Sequence, residues 1–231
     1  MQIFVDDLVD VSGAKGIFRG MRFVRFGCLR GWLSLGFFAW GAVLSVGRAT
    51  TVVPPEFSAL VNGSDYIVHA VVKGVTVEKR QRAKGAKIVT LVELEVIEVV
   101  AGTPPEKVTL ELLGGKIGKE ELRVVGMPQF EVGDEDILFV RDNGRAVAPL
   151  YAMGHGRYAI EREAESGRKF VAREDGIPLQ DTAQVALPFA NGATRELVRR
   201  ASAMSVALEP GEFIRRIRAE RKTDAGREAA K

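Results

Sequence analysis

Between Tyr66 and Val77, apolar and polar positions alternate with the two-residue rhythm of a strand. Tyr66, Val68, Ala70 and Val72 fall on one face, and Ile67, His69, Val71 and Lys73 on the other. Gly74 interrupts the run and marks a bulge or a barrel corner. The same rhythm returns from Ile88 to Val100, where Val92, Leu94 and Val96 make an unbroken apolar face and Glu93 and Glu95 wet the opposite one. Between these strands Glu78 to Lys87 reads as a basic, exposed turn. Lys107 to Leu113 is a third strand with Val108, Leu110 and Leu112 inward, and Gly114-Gly115 then permits a sharp reversal. Glu121 to Val125 reads as a fourth strand, ended by Met127-Pro128, and Glu131 to Asp136 as a turn around Gly133-Asp134. Ile137 to Val140 is apolar throughout, which places it at the centre of a sheet. After a tight turn at Asp142-Asn143-Gly144, three further strands are expected at Ala146 to Leu150, Arg157 to Arg162 and Lys169 to Arg173.

Helical spacing appears only at the two ends of this region. Phe57, Leu60 and Val61 predict one or two helical turns closed by Gly63. Beyond Pro188, Thr194 can cap a helix to about Ala203. Glu209-Pro210-Gly211-Glu212 then opens a second helix to about Lys222. Its stripe of Phe213, Ile214 and Ile217 predicts packing on the body, with arginines over the rest. Many short strands separated by turn signals predict a mainly β fold: an OB-like barrel or a small antiparallel β-sandwich with a C-terminal helical extension.

The first fifty residues follow another pattern. Arg22, Arg25 and Arg30 precede the apolar run Trp32 to Val46, and Gly47-Arg48-Ala49 follows it. That is the plan of a cleaved secretory signal, with cleavage after Ala49 and export to the periplasm or exterior. The alternative is an uncleaved anchor, although the run is shorter than the roughly 20 residues a span needs. Asp6, Asp7 and Asp10 are foreign to such leaders, so Met21 is the expected start. The expected organisation is therefore a leader over 1–49, a β domain over 50–188 and a helical extension over 189–231.

The leader changes the charge argument. Six of the 33 Lys and Arg and three of the 30 Asp and Glu precede Thr50, so 27 of each follow. A neutral mature chain gives nucleic-acid binding no electrostatic footprint. Residues 195–231 carry 10 basic and 6 acidic side chains, so a basic tail faces an acidic body. The one cysteine, Cys28, lies in the leader, which removes disulfides and thiol chemistry from the mature chain.

Candidate chemistry is sparse. His69 sits mid-strand, and His155 lies in the glycine-flanked loop Met153-Gly154-His155-Gly156. No HExxH, GxSxG or phosphate-loop pattern is present. Glu131, Asp134, Glu135 and Asp136 lack calcium-loop spacing and read as solvated turn acids. Glu93 and Glu95 stand about 7 Å apart on one strand face. These two, with Gly114, Gly115 and His155, are the candidate ligand-contact residues. No catalytic, metal-binding or cofactor-binding residues are assigned.

Taken in order, FSALVNGSDYIVHAVVKGV, KIVTLVELEVIEVVAG, VTLELLGG, VVGMPQFEVGDEDILFV and MGHGRYAI resemble a widespread family of uncharacterised secreted bacterial proteins. Its members read ADxIVxGxV, EVLKG, LGG, GxPxFxxGExxLLFL and GMxQGxF. The resemblance covers roughly residues 57–160. Ser64 replaces the usual alanine, Val100-Ala101-Gly102 replaces LKG, and His155 replaces glutamine, which argues against catalysis by His155. The pattern is also loosely similar to netrin-type, OB-like barrels. Some of those inhibit metalloproteases through an N-terminal cysteine, which this mature chain lacks. The resemblance implies compartment and fold but no reaction.

The expected function is a secreted or periplasmic, non-enzymatic binding module. Its partner would be an envelope or extracellular protein, with no nucleic acid and no membrane span after cleavage. The alternatives are a metal-assisted hydrolase using His155 and nearby carboxylates, and a signal-anchored envelope accessory protein.

Overall fold

A computed structural model describes residues 53–82, 85–190 and 206–229, with scattered positions between 192 and 198. The expected leader, the Met21 start, Cys28, the cleavage point and most of the expected helix from Thr194 to Ala203 lie outside the described residues. Helix α1 spans Phe57–Asn62, and eight strands follow: β1 Tyr66–Arg82, β2 Gly85–Gly102, β3 Val108–Leu113, β4 Gly115–Ile117, β5 Glu120–Leu122, β6 Glu135–Val140, β7 Arg157–Arg162 and β8 Lys169–Arg173. Helix α2 spans Pro210–Ala229. Six strands form one antiparallel sheet in the order β3-β2-β1-β6-β7-β8, and β4 pairs with β5 beside it. The fold is mainly β, as the alternation predicts. β3 and β8 end the sheet rather than pairing with each other, so no ladder closes a barrel.

Where they pair with each other, the two central strands β1 and β6 are largely buried on both faces. Ile67, Ile137 and Phe139 point to one core with Leu60, Val61, Tyr158, Val171, Phe213 and Ile217. Tyr66, Val68, Ala70, Leu138 and Val140 point to a second core with Leu110, Phe130 and Leu150. The expectation of one wet face therefore fails at the start of β1, where α1 and α2 cover it. It holds along the middle of β2, where Glu93 and Glu95 are exposed. Pro210 opens α2, and the stripe Phe213, Ile214 and Ile217 is buried as expected. The Phe213 ring lies 5.0 Å from Tyr158, 6.0 Å from Phe57 and 6.2 Å from Phe139. The arginines of α2 do more than solvate it. The Arg221 guanidinium donates to the Val61 and Asn62 carbonyls, completing the C-terminal end of α1. Arg218 pairs with Glu98 and reaches the Val99 carbonyl at the free edge of β2, beyond the end of β3.

Three strand expectations need correction. Ala146 to Leu150 is not a strand: Arg145 and Ala146 both donate to the Asp142 carbonyl, coiling the segment, and only the Val140–Leu150 bridge remains. That segment still serves β3, because Leu113 donates to the Val147 carbonyl, and the Asn143 side chain accepts from Glu111 N–H and donates to the Thr109 carbonyl. The expected basic turn is mostly ladder: β1 reaches Arg82 and β2 begins at Gly85. Glu78, Glu111 and Glu120 pair with Arg80, Arg82 and Lys79 along it. The expected strand Glu121 to Val125 shrinks to β5, Glu120–Leu122. The bulge at Gly74 is present as a register shift between Val72 and Gly74.

Phe213→Ala should cost about 3–5 kcal/mol, because the ring is fully buried among three aromatic neighbours. Ile97→Ala, at a residue 56% exposed, should change stability by no more than about 0.5 kcal/mol. Urea unfolding measures both. A loss under about 1 kcal/mol for Phe213→Ala would remove α2 from the core.

Candidate functional site

Two features stand out, on different parts of the sheet. The first is a buried charge cluster around Arg157, at the start of β7. Its Nε donates to Asp136 Oδ1 at 2.9 Å, its Nη2 to Asp134 Oδ2 at 2.7 Å, and its Nη1 to the Gln129 carbonyl. Glu174 Oε2 lies 3.4 Å from Nη1, and the guanidinium sits 4.4 Å from the Phe130 ring centre. The register of β6 against β7 brings these groups to one face: Asp136 is opposite Ala159, and Leu138 is opposite Arg157. One cation thus faces three carboxylates beside an opening of about 480 Å³. Burial pushes Asp136 up to about 6 against the pull of Arg157. Asp136 Oδ2 is buried without a hydrogen-bond partner among the described residues, as suits a carboxyl that readily holds a proton. Burial likewise pushes Glu174 up to about 7.

Asp136 corrects the expectation of solvated turn acids: it is fully buried. Its neighbour Glu135 points to the other face, where Lys169 Nζ donates to it at 2.6 Å and His69 Nε2 lies 2.9 Å away. Burial works against the Glu135 charge, but the bonds to Lys169 and His69 outweigh it and hold the carboxyl below its ordinary value. His69 is therefore a partner of Glu135.

His155 is also accounted for locally. Its ring stacks on Phe189 at 3.9 Å and 8°, and Arg173 covers the same phenyl ring at 5.3 Å. Arg173 in turn donates to the Leu187 and Pro188 carbonyls. Burial, with the Arg173 charge, lowers His155 to about 4, so the ring is neutral at physiological pH. Ala152 and Met153, both left-handed non-glycine residues, lead into this turn.

The second feature is a groove of about 760 Å³ beside β4 and β5. Its apolar lining includes Val75, Val77, Leu122, Val124, Met127 and Phe130. The size lies within the roughly 300–1,000 Å³ typical of small-ligand sites. Gly114 and Gly115 set its wall. Gly114 N–H donates to the Ile88 carbonyl, and the Thr90 hydroxyl donates to the Gly114 carbonyl. At Gly115, with φ +133°, a Cβ would meet Val77 Cγ1 at 2.6 Å and Thr90 Oγ1 at 2.7 Å, so only glycine lets the backbone lie this close to β1 and β2.

Of the five candidate residues, only Gly114 and Gly115 line this groove. Glu95 pairs with Lys73 at 2.5 Å in solvent, and Glu93 stands beside the bulge, opposite Gly74. His155 is buried elsewhere, although its turn touches the far end of the groove segment through Gly154 N–H and the Gly126 carbonyl. The sequence places Asp136 among turn acids and Arg157 at the end of the contact loop from Met153, but it does not join them to each other or to Glu174. The available signal was an arginine opening a strand and an acid abutting the apolar run Ile137 to Val140. Among the described residues no three His, Asp or Glu side chains converge as metal ligands, and no helix is long and apolar enough to cross a membrane. No protein-family model matches the chain, and no curated protein is significantly similar to it.

The perturbed groups act in opposite directions on stability. Asp136 is raised from 3.8 to about 6, and Glu174 from 4.5 to about 7, so in those windows the fold keeps protons that the unfolded chain has released. Both make stability fall as pH rises. His155 is lowered from 6.5 to about 4, so the unfolded chain takes up its proton first, and stability falls as pH drops through that window. Glu174→Gln should therefore flatten the loss on raising pH, and His155→Phe the loss on lowering it. Urea midpoints across this range decide. An unchanged slope in Glu174→Gln would mean that the cluster is not where those protons reside.

Proposed function

We propose that the protein is a secreted or periplasmic binding module that takes its ligand in the groove walled by Gly114 and Gly115. The observation that carries this reading is the groove itself: an apolar-lined opening of ligand size held by a glycine pair that tolerates no side chain at Gly115. The polar side chains suited to chemistry are committed elsewhere. Arg157 binds three acids, His69 holds Glu135, and His155 is stacked and neutral. A metal-assisted hydrolase built on His155 has no converging ligand set among the described residues in its support. Export rests on the basic, apolar and small-residue succession of the leader, and on the resemblance to secreted bacterial proteins.

The test uses phenylnaphthylamine, a neutral apolar fluorophore, with the chain beginning at Thr50. Saturable, one-to-one enhancement is expected. Val124→Trp fills the groove and should weaken binding at least about tenfold, the change expected from losing a few buried methylenes' worth of contact. Val125→Glu, at a groove residue 91% exposed and so harmless to folding, should weaken it as well. Equal binding by wild type and both variants would reject the groove as the ligand site.

A further inference from the structure

The groove is apolar along its floor but not at its rim. Lys116 and Arg123 both line it, against one acid, Glu121. Glu121 lies 3.5 Å from Arg123, and the two side chains are 48% and 83% exposed, so this pair is weak and leaves the guanidinium available. Among the described residues Lys116 has no carboxylate partner. It precedes Ile117 in β4, the strand whose pairing with β5 places Lys116 opposite Glu121. The cations therefore stand where the apolar floor meets water. At the end of β1, by contrast, Lys79, Arg80 and Arg82 are paired with Glu120, Glu78 and Glu111.

We propose that the groove binds a single anionic amphiphile, with its aliphatic chain along Val75, Val77, Leu122, Val124 and Phe130 and its carboxylate or phosphate head at Lys116 and Arg123. This rests on the binding reading above and gives that site its ligand class. An aliphatic chain needs contiguous apolar lining and no hydrogen-bonding partners, which the floor supplies. A headgroup needs cations that are neither buried nor already neutralised, which the rim supplies. A wholly neutral ligand would make no use of the rim cations, and a small free anion would make none of the floor.

Displacement of phenylnaphthylamine by octanoate, decanoate, dodecanoate and dodecanol, each below its aggregation concentration, tests the assignment. Affinity should rise about fourfold per added methylene along the carboxylate series. Dodecanoate should bind more tightly than dodecanol, and only dodecanoate should weaken with added salt. The double variant Lys116→Ala/Arg123→Ala, at two exposed positions, should cost dodecanoate about fivefold to tenfold and leave dodecanol unchanged. Inorganic phosphate and acetate should not displace the probe. Phosphatidylglycerol vesicles should not sediment the protein once dodecanoate saturates it. Equal affinity for dodecanoate and dodecanol, or equal loss of both in the double variant, would overturn the anionic headgroup while leaving the groove as a neutral site. Failure of all four to displace a probe that Val124→Trp excludes would overturn the amphiphile and spare the binding module. Vesicle binding that survives saturation would replace a single ligand with a membrane surface.

Discussion

Burial of β1 and β6 on both faces is the constraint from which the rest of the structure follows. Ile67 and Phe139 need an apolar cover on one side, and their neighbours Val68 and Leu138 need one on the other. A single six-stranded sheet cannot supply both. The chain solves this with helices on one face and the segments flanking β6 on the other. Phe213 and Ile217 of α2, with Leu60 and Val61 of α1, close the first core. Phe130 and Leu150, brought back from the segments flanking β6, close the second with Leu110 of β3. The C-terminal helix is thus part of the domain's interior, and its arginines tie it to Glu98, Asp181 and the end of α1.

The long β1–β2 ladder outruns that cover. β6 pairs only with Tyr66 to Val71, and β3 only with Val89 to Leu94. Val75 and Val77 lie beyond β6 and would face water alone. The β4–β5 hairpin and the segment to Phe130 lean over them without sealing the space, and the groove is what remains. Its presence is therefore a consequence of unequal strand lengths, and Gly115 is what allows the hairpin to approach closely enough for the lining to be contiguous.

The Arg157 cluster addresses a different difficulty. Three acids, one on β6, one in the turn before it and one just after β8, converge on Arg157 at the start of β7. Truncating the arginine would leave Asp136 buried without its cation, a change that typically costs about 3–5 kcal/mol. With Arg157 in place, one cation cannot match three anions. Raised carboxyls at Asp136 and Glu174 are the physical answer, since burial favours the neutral form of each against the pull of Arg157. The cluster ties β6, β7 and the end of β8 together, and its proton affinity follows from burial.

Local alternation made the ladder strands legible, because β1, β2, β3, β6, β7 and β8 each carry their own pattern. What it could not show was covering. Whether the Ile67 face is wet or dry depends on Phe213, nearly 150 positions away, and no window of sequence contains both. The same blindness hid Asp136: beside Gly133-Asp134 it looks like a turn acid, and only the β6–β7 register, which sets it near Arg157, makes it a buried one. Gly114 and Gly115 were found for the right physical reason, positive φ, but the sequence showed a reversal and not the wall of a groove. That wall depends on Val77 and Thr90, which arrive from two other strands. Residues whose role depends on their own chain direction were readable. Those whose role depends on what lies across the sheet were not, and the groove is made almost wholly of the second kind.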